Sequence, residues 1–445
     1  MIVTHGRYFL KYYPQHMILL SLLLSTFLGA LLLALPVCRL TDIAFIDLFF
    51  TSASLTTVTG LITTPLENFS CIGHIVILCL MQLGGLGLMT LSLSFVYMFS
   101  NLGIYTQVIA SEILSLKSFK DTKQTLFFII KLTTITEILG ALIVLPTMLQ
   151  TYPFKKAIFM SVFHSVSSFC NAGFCLFPDK MLNYSHNPLI IITTMILMII
   201  GGLGFVTWHE ISNKYFKLSP NKGISWHTKL VLRTYVATSL ISSILFWMLE
   251  RNHTLADMPW TQKLYVVLFT GIAMKSTGFV LVSFATVHLA TLVLAMLSMF
   301  IGSAPLSTGS GIKTSVFAIY LAIIKAAIQG KRHAMLYERH IVDDQVYKAM
   351  AIIALSLSWI TFITFCLLIT ESNWSFIDIM FSAFAAFSNN GTTIQDPAEL
   401  SLLGKGFMII SMIIGRIGAL AIILSIKRIS ELRDISYPKE HVILG

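Results

Sequence analysis

Apolar residues in this chain do not alternate with polar ones at the period of a surface helix; they run in blocks. About 20 apolar residues cross the roughly 30 Å hydrocarbon core of a bilayer as a helix. Eight stretches meet that length, near 17–36, 72–99, 127–150, 188–208, 231–249, 284–328 (interrupted), 349–370 and 405–426. Between the members of each successive pair lies a shorter segment that is neither a span nor an ordinary loop: FIDLFFTSASLTTVTGL, AIFMSVFHSVSSFCNAGF, KLYVVLFTGIAMKSTGF and IDIMFSAFAAFSNNGTT. Each holds small, hydroxylated or aromatic residues and then one glycine: Gly60, Gly173, Gly278 and Gly391. The glycines recur about every 110 residues, which predicts a fourfold repeat of span, half-span, span. Its boundaries are 1–100, 101–225, 226–330 and 331–445. A second echo, Gly84, Gly201, Gly302 and Gly415, follows in QLGGLGLMT, IIGGLGFVT, FIGSAPLST and IIGRIGALA.

Composition agrees with that reading. Of 445 residues, 56% are hydrophobic and 11% charged, and the mean hydropathy is +0.82. A soluble enzyme is excluded, and an all-α polytopic membrane protein with lipid as its solvent is expected. The basic N-terminal segment precedes an apolar run that ends in Pro36 without a small-residue cleavage site, so it reads as a first span rather than a signal peptide. The net charge of +10 lies in scattered loops, not in a nucleic-acid-binding module. Lys and Arg concentrate in alternate loops, including Arg7, Lys11, Lys117 to Lys131, Lys214 to Arg233, Lys325 to Lys348 and Lys427 to Lys439. The positive-inside rule then places both termini in the cytoplasm of a cell (inner) membrane protein. The other face carries Asp42, Asp47, Asp179, Asp257, Asp378 and Asp396, which would enrich cations at a mouth there. The six cysteines show neither CxxC pairs nor metal-ligand spacing.

A half-span of about ten residues rises only about 15 Å as a helix, so the chain must turn back at mid-depth. Non-helical backbone is tolerated there only when buried in protein or lining water. Four turn-back strands around one axis would stack rings of carbonyl oxygens that replace a monovalent cation's hydration shell, with the partially negative helix ends aimed at the axis. The terminal glycines would supply left-handed backbone angles. The plainer alternative is that they only permit close helix packing.

With these residues in view, the chain resembles the Ktr/Trk/HKT superfamily of potassium uptake proteins. The resemblance rests on TVTGL in the first repeat, NAGF in the second, a basic residue before STGF in the third and IIGRIG in the last span. IGSAPLSTGSGIK and the ending YPKEHVILG look most like the Ktr-type membrane subunit. It implies a selectivity filter built from the backbone of Thr57, Val58, Thr59 and Gly60; Cys170, Asn171, Ala172 and Gly173; Lys275, Ser276, Thr277 and Gly278; and Ser388, Asn389, Asn390 and Gly391. It implies that glycine at all four filter ends goes with potassium, serine at the first being associated with sodium in plant relatives. The fourth segment, SNNGTT, is closer to a Trk-type sequence, and the second, FCNAGF, also departs from the usual pattern. The resemblance further implies K+ as the transported ion, no organic cofactor, a homodimer with one pore per chain, and a cytosolic nucleotide-binding RCK-type ring of the KtrA or TrkA kind as partner.

Gly302, Ser303, Pro305, Ser307, Thr308, Gly309, Ser310 and Gly311 break the sixth apolar stretch. They are expected to form a polar loop that gates the ion path, or else a static kink. Arg416, in the last span, must face water or a partner; it is expected to touch this loop and oppose cation leak, the alternative being a structural ion pair. Glu137 is expected to accept hydrogen bonds behind the filter or to pair with Lys275, whose side chain should turn away from the ion. His164, Trp208 and His209 are placed near helix ends without chemistry. GGLGLMT and GGLGFVT lack the full dinucleotide fingerprint and sit in apolar spans, and no nucleophile–base pair is present, so an enzyme is not expected. The sequence leaves two transport modes: a channel-like potassium pore, and a symporter coupled to sodium or protons.

Overall fold

In the computed structural model the described residues are 14–99, 120–177, 181–215 and 223–418. Arg7, Lys11, Lys117, Asp179, Lys427, Lys439 and the ending YPKEHVILG lie outside them. Among the described residues fourteen α-helices follow in order: α1 (Pro14–Ala34), α2 (Phe45–Thr57), α3 (Cys71–Phe99), α4 (Lys120–Thr151), α5 (Phe154–Phe169), α6 (Pro188–Gly202), α7 (Phe205–Tyr215), α8 (Trp226–Glu250), α9 (Trp260–Ser276), α10 (Leu289–Phe300), α11 (Thr314–Ile328), α12 (Asp343–Thr370), α13 (Phe376–Ser388) and α14 (Leu402–Ile417). A two-stranded hairpin, β1 (Met335–Leu336) and β2 (Arg339–His340), is a small exception to the all-helical expectation.

Among the described residues, three helical segments are each long and apolar enough to cross a bilayer: Phe127–Thr151, Trp226–Glu250 and Asp343–Thr370. A fourth forms only if α6 and α7 count as one, and these are bent by 97°. The expected continuous span at 188–208 is therefore corrected. The chain turns at Leu203 and Gly204, where Gly204 has φ +84° and the Phe205 N–H leaves the helix ladder to bond the Leu306 carbonyl at 3.0 Å. The sixth stretch is interrupted as expected, with α10 and α11 flanking residues 301–313.

The half-spans α2, α5, α9 and α13 contain 13, 16, 17 and 13 residues, longer than the expected ten. The helix continues through Thr57, Lys275, Ser276 and Ser388, which were expected in the turn-back strands. Hydroxyl-to-backbone bonds such as Thr57 Oγ1 to Ala53 O (2.6 Å) and Ser168 Oγ to His164 O (2.6 Å) satisfy many of the buried hydroxyls in these polar helices.

Burial is inverted relative to a water-soluble domain. Thr51, Ser52, Ser54, Thr56 and Thr57 are buried while Leu31, Leu142, Ile241 and Phe365 are exposed, the distribution a lipid-facing surface requires. Packing closes on itself in chain order. α3 packs on α5, α6 on α9, α10 on α13, and α14 on α2. Each second span thus touches the next short helix, and the last touches the first. A bond between Asp47 at the start of α2 and Lys405 in α14 (2.7 Å) ties that closing contact at one end.

Candidate functional site

The four short helices end where the marker glycines meet. A Cβ added to Gly60 would collide with the Ala172 carbonyl oxygen and lie 3.3 Å from Gly391 Cα; one added to Gly173 would collide with Gly278. From Gly278 it would fall 2.8 Å from Gly391 Cα, and from Gly391 it would fall 2.7 Å from Gly60 Cα. The four segments therefore touch in chain order around a closed ring. Only Gly60 (φ +93°) and Gly173 (φ +74°) use the left-handed region. At Gly278 and Gly391 the requirement is steric, which corrects the expectation of left-handed angles at all four.

Two residues before the glycine, Val58 (φ 58°), Asn171 (φ 59°) and Asn389 (φ 50°) are themselves left-handed. For a β-branched valine this costs about 1–2 kcal/mol, offset by the burial of Val58 in the apolar cluster that also holds Leu55 and Phe169. The third segment differs, because α9 continues to Ser276 and Thr277 is extended at φ −133°.

Side chains fasten these segments from behind. Ser54 Oγ accepts the Gly60 N–H at 3.1 Å, and Ser167 Oγ donates to Phe174 O at 2.7 Å. Thr57 and Thr59 share a hydroxyl bond of 2.7 Å. Asn389 Nδ2 donates to Thr59 Oγ1 (2.8 Å) and Met412 O (2.9 Å). Asn390 Nδ2 donates to Ala273 O (3.2 Å) and Met274 O (3.0 Å), while its Oδ1 accepts from Thr392. The fourth segment is thereby bonded to the first and the third. Cys170, at the end of α5, directs its thiol at Gln82 Oε1 (3.7 Å).

The second glycine set has a different use. A Cβ on Gly84, Gly201 or Gly415 would meet the carbonyl oxygen of Thr56, Phe169 or Phe387, in the last turns of α2, α5 and α13. Close packing, the plainer reading of glycine in a span, accounts for these. Gly302 instead meets Ser310 and Gly311 of its own loop, because the chain breaks there.

Residues 301–313 fold against that break. Ser303 N–H bonds Ser310 O (3.2 Å), Ala304 N–H bonds Gly202 O (3.0 Å), and Thr308 N–H bonds Gly201 O (3.2 Å). Ser307 Oγ donates to Ala304 O at 2.6 Å. The loop reaches the glycine-tipped segments through Ser276 Oγ to Ser303 Oγ (2.7 Å), Asn171 Nδ2 to Thr308 Oγ1 (2.7 Å) and Thr308 Oγ1 to Phe169 O (3.1 Å). Gly309 lies against Ser303 and Ser276, and Gly311 has φ +76°. Arg416 is 9% exposed. Its Nη1 donates to Thr308 O (2.5 Å) and Ser310 Oγ (3.1 Å), and its Nη2 to Gly84 O (2.6 Å). Lys313 Nζ donates to Gly309 O at 2.7 Å.

Lys275 points away from the ring: its Nζ donates to Tyr235 O and Ser239 Oγ, both at 3.0 Å, and sits 4.0 Å from the Tyr235 ring centroid. It does not pair with Glu137, whose Oε2 accepts from Gln82 Nε2 at 3.2 Å and whose backbone carbonyl accepts from Ser165. His164 lies within α5, not at its end, bonded to Thr194 Oγ1 at 2.7 Å between the rings of Phe177 and Phe279.

Sequence reasoning passed over Gln82, the serines Ser54 and Ser167, and two carboxylates. Both serines stand six residues before a marker glycine, a spacing visible in the chain. Glu250, ending α8, accepts the His288 N–H (2.9 Å) at the start of α10, and Glu371, after α12, accepts the Ser401 N–H (3.1 Å) at the start of α14. A lone acid closing an apolar run was the signal for each.

Comparison with known proteins adds an independent line. Residues 31–432 match the family described as TrkH, cation transport protein. The Ktr system potassium uptake protein B of Bacillus subtilis is 32% identical over 440 residues, covering 98% of this chain and 97% of that protein. Its namesake from Vibrio alginolyticus is 33% identical, covering 96% and 94%. The potassium/sodium uptake protein NtpJ of Enterococcus hirae is 30% identical with 97% of each chain covered. Among solved structures, the potassium transporter TrkH from Vibrio parahaemolyticus superposes with a TM-score of 0.70 at 17% identity, covering 93% of this chain and 85% of that one. A match across this much of the sequence, on a chain with this lipid-facing surface, makes it a multi-pass membrane protein and an ion transporter, not an enzyme: it belongs to the TrkH family of cation transport proteins.

Proposed function

We propose that this chain takes up potassium across the cell membrane through a channel-like pore. In this reading, four pseudo-symmetric repeats (1–100, 101–225, 226–330, 331–445) surround one axis, and backbone carbonyls of the segments ending at Gly60, Gly173, Gly278 and Gly391 form the filter. The supporting observation is the closed contact of those four segments in chain order. Main-chain oxygens suit a dehydrated monovalent cation because they are neutral dipoles, strong enough to replace water yet weak enough to release the ion. The carboxyl ends of α2, α5, α9 and α13 add partial negative charge. Relatives at 30–33% identity named for potassium uptake agree with this ion.

Residues 302–311 act as the gate. The loop is bonded both to the ends of the short helices and to Arg416, so its displacement would have to break those bonds. The guanidinium beside the path is an electrostatic barrier to cations while the loop is in place. Inward flow is driven by the membrane potential, about 2.3 kcal/mol per charge per 100 mV. Both termini are cytoplasmic in this reading, two chains associate with one pore each, and a nucleotide-binding RCK-type ring docks on the basic inner face.

Potassium uptake by transport-deficient cells expressing the chain, with and without that cytosolic partner, tests the proposal; absence of uptake in both would refute it. A sodium- or proton-coupled symporter is the second reading, favoured by Glu137, whose Oε1 has no hydrogen-bond partner although buried. Reversal potentials that follow the potassium gradient alone support the pore; a shift with sodium or pH supports coupling.

A further inference from the structure

We propose that Glu250, His253 and His288 form a binding site for a zinc-class divalent transition-metal ion, where α8 ends and α10 begins. One ligand atom from each lies within 4.8 Å of the others. The three come from separate places: Glu250 closes α8, His253 sits in the turn after it, and His288 occupies the position just before α10.

Their arrangement is that of a prepared ligand set. The Glu250 side chain is fully buried. Its Oε1 is clamped by the His288 N–H at 2.9 Å and the Thr291 hydroxyl at 2.5 Å. Its Oε2 accepts from His253 Nδ1 at 3.1 Å and Thr254 Oγ1 at 2.9 Å, so this oxygen is the one turned toward the imidazoles. The His253 and His288 rings lie 4.2 Å apart at 35°. Both histidines are exposed; the carboxylate is the fixed member and the imidazoles the adjustable ones.

Two imidazole nitrogens and one carboxylate oxygen suit zinc, nickel or copper far better than potassium or magnesium. Three protein ligands with water in a fourth position is a common zinc arrangement. With bonds near 2.1 Å, tetrahedral ligand atoms stand roughly 3.4 Å apart, a closure that rotation of the two exposed rings can supply without moving α8 or α10. In place, the ion would bridge the end of α8 to the start of α10, the helix that runs directly into the loop 301–313. Metal binding would thus stiffen the span that this loop interrupts, which is a route for extracellular metal to act on transport independently of the ion carried.

The test uses the full chain purified in lipid nanodiscs, titrated with zinc chloride and, for its absorption spectrum, with cobalt. The expected result is zinc bound with micromolar affinity, a cobalt spectrum of a four- or five-coordinate site, and a raised unfolding temperature. His253→Ala and His288→Ala should each weaken binding by about tenfold or more, and the double variant should lose one bound equivalent. Both positions are exposed, so these variants keep the fold, which their size-exclusion profiles check; Glu250→Gln disturbs the helix junction as well and is the weaker test. No zinc bound above buffer background, or a double variant with the stoichiometry and affinity of the parent chain, would overturn the proposal.

Discussion

Arg416 donates from Nη1 to the carbonyl oxygen of Thr308 at 2.5 Å, joining the last helix to a loop 108 positions earlier in the chain. With the bonds to Ser310 and Gly84, it is the charged clamp on residues 301–313. A hydrogen bond to a charged group contributes about 1.5–3 kcal/mol, and every 1.4 kcal/mol is about tenfold in an equilibrium. Arg416→Gln is therefore expected to shift the loop from its present position ten- to a hundredfold and to raise potassium flux. Initial uptake rates in transport-deficient cells measure this, and rates equal to the parent chain would remove Arg416 from the proposed gate.

The two kinds of glycine in the ring separate strain from sterics. Gly60→Ser suffers both a left-handed φ of +93° and overlap with the Ala172 carbonyl; Gly391→Ala suffers overlap alone, with Gly60 backbone atoms 2.6–2.8 Å from the added carbon. Overpacking of this kind costs about 1–3 kcal/mol. Both variants should admit sodium at the expense of potassium, whereas Gly406→Ala, with no neighbour within 4 Å, should leave selectivity intact. Competition of sodium with rubidium uptake reads the difference.

Asn390 is a side-chain strut between the fourth segment and the last turn of α9. Asn390→Ala removes the donor to Ala273 and Met274 and the acceptor for Thr392. At about 1–3 kcal/mol for the groups left unpaired, the half-saturation concentration for rubidium uptake should rise about tenfold. Asn390→Asp should be worse than alanine, because it sets a carboxylate against two carbonyl oxygens. Equal effects of the two would argue that the strut is not what matters there.

These tests depend on features that local sequence shows unevenly. The apolar blocks, the four marker glycines and the break at 302–311 were legible because each is a local property: length, a residue without a side chain, or proline and glycine density. The 97° bend between α6 and α7 was not, since it depends on the Leu306 carbonyl capturing the Phe205 N–H from a hundred residues away. The length of the half-spans was underestimated because Lys275 and Ser276 read as strand residues by analogy with TVTG, while the hydrogen-bonded helix carries on to Ser276. For Glu137 the sequence left open hydrogen bonds behind the filter or a pair with Lys275, and Gln82 went unnoticed; only the tertiary fold places Gln82 opposite it.

Asp47 and Lys405 close the ring of helices between α2 and α14, at 2.7 Å with side-chain exposures of 17% and 11%. Lys348 and Asp344, at 51% and 67%, form an ordinary exposed pair within one helix. A double-mutant cycle with Asp47→Asn and Lys405→Met, read by reversible unfolding in detergent, should give a coupling of about 1 kcal/mol. The same cycle at Asp344 and Lys348 should give a value indistinguishable from zero. Reversal of that order would mean that the Asp47 contact does not hold the closing interface.

Lys275 sits three residues before Gly278, close enough that its charge would repel a passing cation if it faced the axis. Its ammonium instead faces α8, held by the Tyr235 carbonyl, the Ser239 hydroxyl and the Tyr235 ring. The side chain therefore acts on packing between α9 and α8, and its charge is local to that contact. Lys275→Met keeps the apolar stem and removes the ammonium, leaving the Ser239 hydroxyl its own bond to Tyr235 O. The expected outcome is reduced thermal stability, by about 1–3 kcal/mol, with the potassium-to-sodium preference unchanged. Lys275→Glu places an acceptor against an acceptor carbonyl and should reduce folded protein outright. Membrane-extracted yield and ion preference are measured on the same preparations. A methionine variant that is stable but altered in selectivity would mean that the Lys275 charge is felt at the ring after all.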